Sequence, residues 1–280
     1  MGFSEFVIYH EAAVRLVFFF GILLLMALWE FAAPRRKLTV SRKLRWINNL
    51  GVVFLSSFLV RIIFPAAAVG MAVFAHERGW GLFNYFQVPY SLAVALSVIF
   101  LDFIIYIQHV MFHAIPVFWR IHRMHHADLD FDVTTGIRFH PFEIILSMVI
   151  KFGVVVVIGA PVLGVVIFEV LLNATSMFNH GNVRILRGLD RVLRWIVVTP
   201  EMHRVHHSVY INETNSNFGF NFPLWDRFFG TYRDQPRMGH EDMTIGLWNF
   251  RDTKYCAILH GMLAIPFLGK AGGYTVDRRK

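Results

Sequence analysis

Residues 101–126 read Leu-Asp-Phe-Ile-Ile-Tyr-Ile-Gln-His-Val-Met-Phe-His-Ala-Ile-Pro-Val-Phe-Trp-Arg-Ile-His-Arg-Met-His-His. An apolar helical run ends in His109-x₃-His113, and nine residues later comes His122-x-x-His125-His126. The same triplet recurs far downstream as His203-x-x-His206-His207. With fourteen His in 280 residues, a given position starts this triplet by chance with a probability on the order of 10⁻⁴. Two copies are therefore not accidental. Positions i, i+3 and i+4 share a helix face, so each triplet is expected to aim three imidazoles at one place. Neutral imidazole ligates iron, zinc, copper and nickel, and two converging triplets predict a metal centre.

The chain around these motifs is 56% hydrophobic and 16% charged, with mean hydropathy +0.50. That composition points to a membrane protein. The net charge of +8 does not signal nucleic acid, because the basic residues flank apolar runs. The lone cysteine, Cys256, excludes an internal disulfide and any Cys₄ metal site. The first apolar run is long enough to remain as an anchor rather than serve as a cleaved leader.

A helix crosses a bilayer with about 20 apolar residues. Spans are predicted at 16–33, 50–75 and 88–110, the second carrying Arg61 and a kink at Pro65. The stretch 142–178, broken at Gly159-Ala160-Pro161, reads as a helical hairpin that returns to the side it left. Cys256–Leu268 is too short to span and is expected on the membrane surface or as a cap. The fold class is thus an all-α integral membrane protein: one domain, residues 1–280, with about four transmembrane helices and a helical cap that carries the histidines. Arg35, Arg36, Lys37, Arg42, Lys43 and Arg45 crowd the first loop without an acid, which predicts a cytoplasmic location for it. The cap segments 111–141 and 179–254 then fall on that same side, in a bacterial inner membrane or the endoplasmic reticulum. Ten of the fourteen histidines lie there; His10 and His76 lie opposite, and His240 and His260 have no partner at ligand spacing.

Two polar stripes run down apolar helices, Asp102, Tyr106, His109, His113 and Glu169, Asn173, Ser176, His180. They are expected to face each other and floor a cavity beneath the metals, or else to join helices by hydrogen bonds. Asp102 has an alternative as the ion-pair partner of Arg61 or Lys151. His140, just before the hairpin at Pro141, is a tenth possible ligand. Ten imidazoles are too many for one ion and suit two with about five each. Metal-bound histidines pass their second N–H to a carboxylate or carbonyl, and the acids in reach by sequence are Asp128, Asp130, Asp132, Glu143, Glu201 and Asp226. Trp225, Phe228 and Phe229 either cover the cavity or pack at the bilayer interface.

The order H-x₃-H, H-x-x-H-H, late H-x-x-H-H resembles the fatty acid hydroxylase superfamily of membrane di-iron enzymes, over roughly residues 90 to 235. Asn179-His180-Gly181-Asn182 and the run Asn217–Tyr232 are similar to it as well. The resemblance implies two iron ions on His109, His113, His122, His125, His126, His203, His206 and His207, with His180 and then His140 completing the set. Some members carry a histidine pair near His180, where this chain has Ser176 four residues earlier. It also implies O₂ as co-substrate, zinc as a substitute in purified protein, and hydroxylation or desaturation of a lipid that enters from the bilayer. No Gly-x-Gly-x-x-Gly loop follows a strand, so a separate electron donor of cytochrome b5 or ferredoxin type is expected. The competing readings are a histidine-lined transporter and a zinc site that only holds the fold.

Overall fold

A computed structural model of the chain describes residues 2–270 and Tyr274, and all regular structure among these residues is helical. A short α1 (Phe3–Tyr9) leads into α2 (Glu11–Ala32). Then come α3 (Arg42–Ile63), α4 (Ala67–Glu77), the single turn α5 (Leu82–Tyr85) and α6 (Tyr90–Ala114). α7 (Pro116–His126) carries the first triplet. The hairpin is α8 (Pro141–Ile158) and α9 (Val162–Asn179). After it follow α10 (Arg187–Leu193), α11 (Pro200–His206), α12 (Ile211–Thr214) and α13 (Leu224–Phe229). Three small helices, α14 (Gly239–Asp242), α15 (Thr253–Cys256) and α16 (Leu259–Ala264), close the described chain. Five segments are long and apolar enough to cross a membrane.

The span expected at 50–75 is placed differently. Its helix begins at Arg42, and Pro65 stops it at Ile63 rather than kinking it. Proline cannot donate its missing N–H to the ladder and clashes with the preceding turn. α4 therefore starts afresh at Ala67 and packs with α8, Ala68 and Ala72 lying against Val155 and Ile158.

The hairpin turns as expected. Gly159 ends α8 in the left-handed conformation at φ 68°, which suits glycine. Gly81 packs directly on it: a Cβ there would stand 2.1 Å from the Gly159 nitrogen. That contact sets the far end of the bundle. At the near end, α6 and α9 finish, while α7 and α8 begin. Proline opens α7, α8 and α11, where a fixed φ and a missing N–H cost nothing.

The 256–268 segment is a cap. Cys256, Met262 and Ile265 are buried with Trp119, Met124 and Val52, so it seals the α3–α7 side. Arg45 is not a free loop cation. It is fully buried, pairs with Asp128 at 2.8 Å and with Asp132, and so pins the start of α3 to the loop after α7. A buried guanidinium left without partners would cost several kcal/mol.

Candidate metal centre

Nine histidines meet at the near end of the bundle in two groups. His109, His113, His122, His126 and His206 form one; His125, His180, His203 and His207 form the other. Within each group one nitrogen per ring lies within 4.8 Å of the others, and every ring is buried.

Neither triplet points at a single place. His122 and His126 enter the five-histidine group, and His125 enters the four-histidine group. In the second triplet His203 and His207 enter the four-histidine group, and His206 crosses to the other. Helical geometry explains the split. Residues i and i+4 are about 40° apart around the axis, whereas i+3 and i+4 are about 100° apart. Each triplet therefore straddles both groups and ties them into one unit.

The donor chemistry fits cations. A neutral imidazole has one N–H and one lone pair. His109 donates Nδ1–H to the Phe218 carbonyl at 2.8 Å, and His206 donates its own to the Ser216 carbonyl at 2.7 Å. Their Nε2 lone pairs are then left facing each other at 3.0 Å. Two further Nε2 pairs, His113 with His126 and His180 with His203, also stand 3.1 Å apart. Lone pairs at this range repel unless a positive ion sits between them. Protonation does not relieve them. Burial, and then the neighbouring rings, hold His125, His126, His203 and His207 well below the usual imidazole range. His206 is lowered in the same way by burial and His122, and burial lowers His180 to about 3.

The outer anchors differ between the groups. In the first, His122 donates to Glu143 at 2.7 Å and His113 bonds Asn215 at 3.1 Å, beside the two carbonyl anchors already named. In the second, His180 donates to the Ser176 carbonyl at 2.8 Å. The buried Nδ1 atoms of His125, His203 and His207 have no partner among the described residues.

His140 does not join either group. Its Nδ1 accepts from the Phe142 N–H at 3.2 Å, so it caps α8 instead of ligating. Of the six acids expected behind the rings, Glu143 is the one seen to touch a ligand. Asp128 pairs with Arg45 and Arg138; burial alone would raise it, but the two arginines bring it down to about 2. Asp132 also serves Arg45, and Asp130 accepts the Thr39 and Val40 N–H groups. Glu201 binds Arg35, Arg204 and His240. Asp226 acts at one remove: it accepts the Phe218 and Gly219 N–H groups and the Thr231 hydroxyl, fixing the loop whose carbonyl holds His109. Burial raises Asp226 to about 6.

The two polar stripes are engaged with neighbours. Asp102 accepts from Trp225 Nε1 at 2.7 Å and from the Asn221 N–H at 3.2 Å, and pairs with neither Arg61 nor Lys151. Tyr106 bonds Thr231 at 3.0 Å. Glu169 pairs with Lys151 at 2.7 Å and Arg15 at 3.1 Å, and Asn173 bonds the Glu169 carbonyl. Phe229 stacks on Tyr106 and on Phe103, while Phe228 is 76% exposed. This aromatic group is a wall of α6 and, at Phe228, an outer surface. Sequence reading did not find the carbonyl anchors at Ser176, Ser216 and Phe218, because backbone oxygens leave no mark in residue identity. The density of Asn and Gly over 215–221 was the available signal.

Comparison with known proteins agrees with this geometry. Residues 94–231 match the family model described as fatty acid hydroxylase. The ornithine lipid hydroxylase OlsE of Rhizobium tropici is 27% identical over 82% of this chain and 70% of its own length. An alkylglycerol monooxygenase of Xenopus tropicalis is 26% identical over 77% of this chain, and the human one is 26% identical over 55%. The matches cover 46% and 34% of those two relatives' own lengths. No solved structure matches the chain.

Proposed function

From its membership of the fatty acid hydroxylase superfamily, we propose that this chain is a membrane-embedded lipid hydroxylase working through two iron ions and O₂. The observation that carries this reading is the pair of convergent Nε2 groups, five and four histidines, buried where the spanning helices end. When bound there, a pair of irons supplies the redox chemistry to reduce O₂ and attack an unactivated C–H bond. All-nitrogen coordination by neutral rings keeps such ions as Lewis acids rather than neutralising them.

The protein's own residues do the placing. The Nδ1 anchors fix tautomer and ring orientation at His109, His113, His122, His180 and His206, so those Nε2 atoms are aimed before a metal arrives. Phe139 stacks on His125 with centroids 4.4 Å apart, and Phe220 lies 6.1 Å from His203. These rings make the surroundings apolar and exclude water from an oxidising centre. The substrate is a lipid with an alkyl or acyl chain, of the ornithine-lipid or alkylglycerol kind that the relatives' names record, entering from the bilayer. Insertion of one oxygen atom consumes O₂, two electrons and two protons and releases water. The electrons come from a separate small redox protein of cytochrome b5 or ferredoxin type, drawn to the basic cytoplasmic surface around Arg35, Arg36 and Lys37.

Lipid extracts from cells producing the wild-type chain, compared with His125→Ala, test the reading. The wild type yields a lipid heavier by one oxygen atom and the variant does not. Two unchanged lipid profiles would refute it. A four-imidazole group is also a geometry that suits zinc. Protein from iron-replete cells that carried only zinc and still folded would favour a structural site instead.

A further inference from the structure

We propose that a basic cleft behind α11, lined by none of the nine grouped histidines, holds the anionic headgroup of a membrane lipid. The cleft encloses about 910 Å³ between α10, α13 and the loop after α2. Four acids line it, and they are taken up by two arginines. Arg194 engages Asp190 and Asp234, and Arg35 engages Glu201 and Glu241. Arg187 and Arg191 also line it, both exposed and with no acid partner among the described residues. At its inner end the Arg227 guanidinium lies 3.8 Å over Trp195 and 4.1 Å from the Tyr232 ring centre. Stacking leaves the guanidinium edge available to acceptors; one Nη donates to the Arg194 carbonyl at 3.1 Å, while the buried Nε has no partner among the described residues. The cleft therefore has a surplus of positive charge, on Arg187 and Arg191, and an unpartnered donor at Arg227 Nε.

Its position identifies the source of the anion. The cleft starts where α2 leaves its apolar run: the Arg184 N–H donates to the Ala33 carbonyl, and Pro34 pairs with Val183. α10 turns Leu186, Leu189 and Val192 outward at 77%, 53% and 60% exposure, with Ile196 at 64% just beyond it. On the other wall α13 exposes Phe228, while its neighbour Phe229 stacks on Phe103 of the spanning α6. An amphipathic helix with arginines on one face and aliphatic residues on the other lies in the bilayer interface. Arginine stems reach from such a helix to the phosphate level. A soluble anion has no use for this apolar rim; a phospholipid does, because its chains cover the rim while its phosphate enters the cleft.

Native mass spectrometry of the full chain in detergent, titrated with phosphatidylglycerol or phosphatidylcholine, tests this. The wild type should retain phosphatidylglycerol roughly 25-fold better, since each of the two arginines near an anionic lipid contributes about a factor of five. The double variant Arg187→Gln/Arg191→Gln should bring the two lipids close to parity, with metal content unchanged. The proposal is overturned if the variant keeps the preference. It is equally overturned if millimolar inorganic phosphate displaces phosphatidylglycerol completely, which would make this a site for free anions. Equal binding of both lipids by the wild type, with the variant impaired only in binding an acidic redox protein, would assign the cleft to protein docking.

Discussion

The two histidine groups are built from the same two triplets yet are held differently. The five-histidine group grips its rings at the outer nitrogen as well. Glu143, Asn215 and the Ser216 and Phe218 carbonyls each take a ring nitrogen, so four rings are oriented in advance. The four-histidine group has the Ser176 carbonyl behind His180, and three buried Nδ1 atoms with no described partner. Outer anchors typically change metal affinity 10- to 100-fold. The difference teaches that one group of rings is preorganised and the other is not, so, with metal bound as proposed, the second should fill last and empty first.

Deleting a ligand should break the comparison most strongly. His206→Ala removes a ring from the anchored group and His203→Ala one from the other. Each is expected to lower lipid oxidation more than about 100-fold. Metal analysis should separate them, with the retained ion held more tightly in His203→Ala than in His206→Ala. Equal retention in the two variants would remove the distinction.

Acid is the next lever. Six rings outside the spans, His125, His126, His180, His203, His206 and His207, bind protons less readily folded than unfolded, chiefly because of burial. A depressed folded value means the unfolded chain takes up protons first. Metal-free stability is therefore full above about pH 6.5 and falls as pH drops, by about 1.4 kcal/mol per ring per pH unit. For His180 that window runs from the ordinary value down to about 3. Thermal melts of chelated protein between pH 7.5 and 5 check the direction; a melting temperature flat across that range contradicts it.

Glu143→Gln sharpens the contrast. Glutamine keeps the oxygen that accepts from His122 but loses its charge, and the anchored group should weaken roughly 10-fold toward its neighbour. Chelator titration would then show one release phase where the wild type shows two. The mildest change is Asp226→Asn. It leaves every ligand in place and weakens the hold on the Phe218 and Gly219 N–H groups, so His109 is less firmly aimed. A loss of about threefold in metal affinity is expected, reversed by Asp226→Glu if the loop accommodates the longer side chain. Unchanged affinity in Asp226→Asn would show that the carbonyl of Phe218 holds its place unaided.

Much of the centre was legible before any coordinates. Eight histidines followed from their spacing and His180 from its place at the end of a polar stripe. Those signals survive in one dimension because a helix converts sequence interval into angle. His140 had a similar position but a different fate, since the proline after it starts a helix whose end its ring caps. The acids were the least legible. Asp128, Asp130 and Asp132 follow the first triplet closely, yet they turn away to serve Arg45 and the Thr39 backbone; Glu143, twenty-one residues from His122, is the one that reaches it. Carboxylates go where a buried cation or an open N–H would otherwise be unsatisfied, and sequence distance does not report that.

Sequence alone determined that this is a helical membrane protein, that its apolar runs deliver histidines to one end, and that the candidate site offers imidazole rather than thiolate. Those properties are set by composition and by periodicity along single helices. Which ring joins which group, and what stands behind each ring, was decided by the packing of α6, α7, α9 and α11 with the 215–221 loop. A helix fixes the angle between its own residues, but only neighbouring elements decide what lies in each direction.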